Sequence, residues 1–260
     1  MDLGLKDKVA VVTGGTSGIG KAVVNVLLME GCKVIACVRD REKGKRLQEE
    51  CMEQGYTVAF EIADVSKYAE LERFSNKIIE EYSKFDIWIN NAGVFPKHML
   101  VEMTEEEWEN LIDANLKSVF LGSKFAAKHM REHGDGVILN AASFAAFLPS
   151  VGYGAYAATK AAIISLTQSL AAELSPFGIR VVSYVPGVIE SKMTGQAIQD
   201  NRSRMLEDIA LNKFGTPEDV ANAIAFIASD KASYITGTHI EISGGKFCVQ
   251  NPGDAWKGTC

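Results

Sequence analysis

Apolar residues recur along this chain in two alternating rhythms: short β-branched runs, and longer stretches with helical spacing. Residues 8–13, KVAVVT, form the first run, and its shortness and glycine ending predict a buried strand. Similar runs predict strands over 33–38, 57–62, 85–90, 136–142, 179–185 and 238–242. Helical periodicity fills the gaps. It covers 22–29, with Gly31 suited to the position just past the helix end. It returns around Leu71, Phe74, Ile78 and Ile79, and again in a long stretch opened by a Thr104/Glu107 capping box. That stretch carries Trp108, Leu111, Ile112, Asn115, Phe120 and Phe125. Residues 153–174 predict a further helix, and Thr216 followed by Pro217 starts another. Strands alternating with helices predict right-handed crossovers and a parallel sheet covered on both faces, the α/β class. In such a sheet the site lies beyond the carboxyl ends of the strands, so Thr13, Val38, Asn90 and Ser143 should meet at one edge.

Composition narrows the function classes. The 260 residues are 47% hydrophobic and 23% charged, an ordinary globular balance, with no linker, repeat or low-complexity block, so one domain over 1–260 is expected. No run approaches the roughly 18 apolar residues of a membrane span, and the N-terminus MDLGLKDK lacks a secretory apolar stretch. A cytoplasmic protein without a membrane partner is expected. A net charge of −6 argues against nucleic-acid binding. Cys32, Cys37, Cys51, Cys248 and Cys260 show no CxxC or Cys/His spacing, so reduced thiols and no metal site are expected. Of the basic cluster after the second strand, Lys43, Lys45 and Arg46 read as a solvated helix start, while Arg39 falls at the strand's end.

Candidate chemistry centres on Tyr156 and Lys160, one helical turn apart, preceded by Ser143. Residues at i and i+4 share a helix face, so the ammonium of Lys160 is expected beside the phenol of Tyr156, lowering a pKa of about 10. A phenol tuned in that way exchanges protons with an alcohol or ketone, and Ser143 adds a hydroxyl for the same oxygen. Only Tyr156, and not Tyr153, has a lysine four residues on. The hydride carrier's site is predicted in the turn Gly14, Gly15, Thr16, Ser17, Gly18, Ile19, Gly20, which stands between a strand and a helix as a dinucleotide loop requires.

Together these residues resemble the classical short-chain dehydrogenase/reductase family, over about residues 5–245. Thr13 to Gly20 looks like its TGxxxGxG loop, and Asn90, Asn91, Ala92, Gly93 like its NNAG segment. Asn115 falls on the family's catalytic asparagine, Ser143, Tyr156 and Lys160 on its serine and YxxxK positions, and Pro186 and Gly187 on its proline-glycine turn. The resemblance implies a single-domain Rossmann-type doubly wound parallel sheet of about seven strands. It implies that Lys160 also bonds the nicotinamide ribose, that Asn115 holds a water linking Lys160 to solvent, and that Asp64 and Val65 contact adenine. As a reading of residues alone, Asp64 is equally a helix N-terminal acid. Ile189 and Ser191 extend the cofactor site beyond the turn, with Ser191 replacing the usual threonine.

Cofactor choice rests on the end of the second strand. Val38 stands where an acid would select NAD, and Arg39 follows as a phosphate partner, so NADP(H) is favoured. Against it stand Ser17, at a position often basic in NADP enzymes, and the nearby Asp40, so NAD(H) stays open. Phe95, Phe144, Tyr153 and Met193, with Met99, Phe147 and Leu148, supply apolar bulk around the catalytic edge. If they line the pocket, the substrate is a bulky secondary alcohol or ketone, hydroxysteroid-like or 3-oxoacyl; if they pack in the core or at a subunit contact, it is not constrained. The resemblance further implies a substrate lid at about 190–213 and a homotetramer or homodimer built through the long helices, with a tail at 246–260 reaching a neighbour. Two alternatives stand: an NAD-dependent polyol or small-alcohol dehydrogenase, and a catalytically inactive nucleotide-sensing regulator.

Overall fold

The computed structural model describes residues 2–192, 194–246 and 248–258. Met193, Phe247 and Cys260 therefore lie outside the described residues. Seven parallel strands form one sheet in the order β3-β2-β1-β4-β5-β6-β7. They are β1 (Val9–Thr13), β2 (Lys33–Val38), β3 (Val58–Ile62), β4 (Ile87–Asn90), β5 (Gly136–Ala141), β6 (Ile179–Pro186) and β7 (His239–Ile242). All fall within two residues of the boundaries read from sequence.

The apolar runs are continuous because both faces of the sheet are covered. In β1, Ala10 and Val12 enter one core with Val23 and Leu27 of α1 (Gly18–Met29), while Val9 and Val11 enter the other. That second core takes Leu71, Phe74 and Ile78 of α3 (Tyr68–Tyr82) and Phe125 and Met130 of α5 (Ser118–His133). Helix α2 (Arg41–Glu53) begins at Asp40, whose carboxylate accepts from the N–H groups of Glu42 and Lys43. The predicted capping box of Thr104 with Glu107 forms on α4 (Glu105–Ile112), and Thr216, expected to start a helix, forms a second one with Asp219 on α8 (Pro217–Ala228).

One feature departs from the sequence reading. The long stretch after Thr104 is not one α-helix: a π-helical turn, Asp113–Lys117, separates α4 from α5. Asn115 sits inside that turn, fully buried, with its amide drawn to the loop after β4. The described part of the tail packs on its own chain. Trp256 Nε1 donates to the Ala210 carbonyl at 2.9 Å, just past α7 (Gly195–Glu207). Among the described residues no helix is long and apolar enough to cross a membrane.

Candidate active site

The carboxyl ends of β1, β4, β5 and β6 open into one cleft of about 1070 Å³. Its first wall is the glycine turn. Gly14 and Gly18 adopt positive φ (67° and 51°), and a Cβ at Gly20 would stand 2.3 Å from the Gly14 carbonyl oxygen, so only glycine closes this turn. Helix α1 then starts with no side-chain cap and no acid in its first turn. Its free N–H groups and positive dipole end face the cleft as a site for phosphate. Thr13 ties the turn to β4, its hydroxyl accepting from the N–H of Asn91 (2.9 Å) and Ala92 (3.0 Å). Thr16, Ser17, Ile19, Ala92 and Gly93 line the same wall. These residues fit a dinucleotide.

At the far end of that wall Arg39, Lys43, Asp64 and Val65 line the cleft. Lys43, read from sequence only as part of a solvated helix start, therefore joins Arg39 at this end. Asp40 lines this end too, with its Oδ1 engaged as the α2 cap and its Oδ2 3.8 Å from Lys43 Nζ. Asp64 accepts from the N–H (2.9 Å) and hydroxyl (2.7 Å) of Ser66, a bonded turn that holds its carboxyl below the usual range against the opposing cost of burial.

Ser143, Tyr156 and Lys160 come together near the middle of the cleft. Ser143 lies two residues past β5, and Tyr156 and Lys160 lie on the first turns of α6 (Gly154–Leu174). Ser143 hydrogen-bonds the Tyr156 phenol, while burial pushes that phenol above its ordinary pKa. This corrects the expected lowering. Lys160 Nζ donates to the Ala141 carbonyl at 2.7 Å and sits 5.5 Å from the centre of the Tyr156 ring. Burial in turn brings the Lys160 ammonium down to about 8. Desolvation thus outweighs the Ser143 hydrogen bond at the phenol and leaves the lysine titrating nearer neutrality.

Asn115 does not line the cleft. Its Oδ1 accepts from Val94 N–H (2.7 Å) and its Nδ2 donates to the Val94 carbonyl (2.9 Å). One amide hydrogen and one lone pair are left for the expected water. Among the apolar candidates, Phe95, Phe144 and Tyr153 line the cleft. Phe95 stacks on Tyr153 (centroids 4.2 Å, 7° between planes) and meets the Tyr156 ring edge-on at 4.6 Å. Met99, Phe147 and Leu148 are exposed and lie outside the lining. Met193 is outside the described residues.

Pro186 ends β6, and Gly187, Ile189 and Ser191 follow it along the cleft. Thr194, passed over in the sequence, joins them: its hydroxyl donates to the Ile189 carbonyl and accepts from Ser191 N–H at 3.1 Å. Its only signal was a second hydroxyl three residues after Ser191. Also missed were Tyr184, hidden in an apolar strand, and the rim pair His98 and Glu107, 3.4 Å apart.

Known proteins resemble this chain over most of its length. The family model described as short chain dehydrogenase matches residues 8–202. A 3-oxoacyl-[acyl-carrier-protein] reductase FabG of Staphylococcus epidermidis is 36% identical over 242 residues, covering 93% of this chain and 99% of that protein. The protein of the same name from Thermotoga maritima is 36% identical over 241 residues, covering 93% and 98%. Among solved structures, gox2181 superposes with a TM-score of 0.91 at 28% identity, covering 95% of this chain and 99% of its own. A short-chain type dehydrogenase/reductase from Mycobacterium marinum gives 0.89 at 29% identity, covering 94% and 97%.

Proposed function

Because the chain belongs to the short-chain dehydrogenase/reductase family, and is thus an NAD(P)-dependent oxidoreductase acting on CH–OH and keto groups, we propose that it reduces a bulky hydrophobic ketone with NADPH. The observation that carries this reading is the convergence of Ser143, Tyr156 and Lys160 with an uncapped glycine-loop helix in one cleft. Arg39 and Lys43 at the adenosine end, with Asp40 engaged as a helix cap, favour the 2′-phosphate of NADP over the free ribose of NAD.

The glycine turn and the uncapped start of α1 would hold a dinucleotide whose dihydronicotinamide would supply the hydride for the carbonyl carbon. The Ser143 hydroxyl and Tyr156 phenol hold the carbonyl oxygen, and the phenol, kept protonated by burial, donates its proton as negative charge develops. Lys160, brought near neutrality, returns a proton towards Tyr156. Asn115 fixes the Val94 loop and offers its remaining amide hydrogen to a relay water.

The Phe95/Tyr153 wall and a cleft of this size suit a 3-oxoacyl thioester, in keeping with the relatives' names, ahead of a steroid and well ahead of a polyol. Trp108 and Phe120, half-exposed on α4 and α5, are the surface through which a homotetramer would assemble. Burial keeps the Cys32 and Cys37 thiols protonated, as suits a protein of the cytoplasm.

NADPH oxidation is to be followed with 3-oxoacyl thioesters, steroids, cyclic ketones and polyols. Tyr156→Phe should lower kcat by about a thousandfold, within the range for losing a positioned acid, while NADPH still binds. Substantial residual turnover would refute the assignment. Arg39→Ala should cut the NADPH-over-NADH preference about tenfold, the scale of one charge-assisted bond to phosphate; an unchanged preference discards Arg39 as phosphate reader.

A further inference from the structure

Tyr184 lies within β6, fully buried, and takes no part in the proton transfer described above. Its hydroxyl bonds Asn91 Oδ1 at 3.1 Å, and the surroundings of that amide fix who donates. Asn91 Nδ2 faces the carbonyl oxygens of Thr13 (3.1 Å) and Gly14 (3.5 Å), which can only accept. The nitrogen must therefore point at the glycine turn and the oxygen at the phenol, so Tyr184 donates. Burial raises its pKa and keeps that proton in place.

The reach is long. In the sheet β6 is three places from β1, and the small side chain of Ala141, the register partner of Tyr184 on β5, leaves room for a ring directed towards β4. On the other side of Asn91 the turn has no slack. A Cβ at Gly20 would meet Asn91 Nδ2 at 2.5 Å, and one at Gly14 would meet Ala92 Cα at 3.0 Å. One amide thus orients the Gly14 carbonyl, and one phenol orients the amide.

We propose that Tyr184 is a positioning residue for dinucleotide binding, acting through Asn91 to set the glycine turn. The inference rests on the dinucleotide reading of the cleft. Tyr184→Phe keeps the ring and deletes the donor. The Kd for NADPH, titrated by reduced-nicotinamide fluorescence on the substrate-free protein, should rise about three- to tenfold, the net worth of one hydrogen bond. The loss should fall on KM for NADPH more than on kcat. In an Asn91→Ala background, Tyr184→Phe should add no further loss of affinity. A role in stability alone would lower Tm and leave Kd within twofold of wild type, and that result, or additive losses in the double variant, overturns the proposal. If Tyr184→Phe does not fold, Tyr184→Leu is read by the same titration and the same criteria. Failure of the wild-type protein to bind NADPH or NADH would sink the cofactor reading itself and this proposal with it, a result distinct from an unresponsive variant.

Discussion

Lys160 carries an ammonium into the interior with no carboxylate beside it among the described residues; its bonding partner is a backbone carbonyl. A charge held there costs folding energy, which is why its pKa falls from 10.5 to about 8. The unfolded chain binds the proton more tightly, so this residue's contribution to stability rises as pH climbs from about 8 towards 10.5 and is least favourable below 8. Lys160→Met should therefore raise Tm by a few degrees at pH 7 while removing activity, a trade of stability for function; a lower Tm in a thermal melt would show that the bond to Ala141 outweighs the buried charge. The same titration shapes the rate. Carbonyl reduction should hold steady below pH 7 and fall as pH rises through about 8, where Lys160 loses the proton it passes on. A kcat/KM profile for reduction that stays flat to pH 10 would remove Lys160 from the relay.

The π turn at Asp113–Lys117 shows where elements escape sequence reading. Apolar spacing through Leu111, Ile112 and Phe125 is compatible with a single helix, so the pattern carries no mark of the π turn. What opens the turn is a long-range bond pair, Asn115 to Val94, and that pairing cannot be read from either segment alone. Local signals fared better: the Thr104/Glu107 box and the helix start at Thr216-Pro217 were legible because a cap is complete within four residues. Asn115→Ala should thus destabilise by about 1–3 kcal/mol, the cost of leaving two part-buried backbone groups of Val94 without their partner. Denaturant unfolding checks this, and a loss below about 1 kcal/mol would mean that water replaces the amide at no penalty.

Across the whole molecule, groups from Gly14 to Thr194 meet in one cleft because parallel strands deliver their carboxyl ends to the same edge. That convergence was legible from strand order and motif spacing; the electrostatics of Tyr156 were not, since burial depends on every element packed around it. The tail belongs to the same scale. Its described part reaches the segment proposed as a substrate lid: Trp256 bonds the Ala210 carbonyl, Gly253 packs against the Glu207 backbone, and Lys246, itself buried, pairs with Asp208 at 3.4 Å. Under that lid Ile198, Met205 and Leu206 pack with Phe144 of the cleft. A lid tied at its far end opens less often, so ending the chain after Val249, which removes the Trp256 and Gly253 contacts but keeps Lys246, should loosen it. Limited proteolysis should then cut within 190–213 several times faster, and KM for the ketone should rise about three- to tenfold, the worth of one or two hydrogen bonds. Because the sheet and its two cores are untouched, Tm should move by only a few degrees. Unchanged cleavage and unchanged KM would mean that the tail rests on the lid without restraining it.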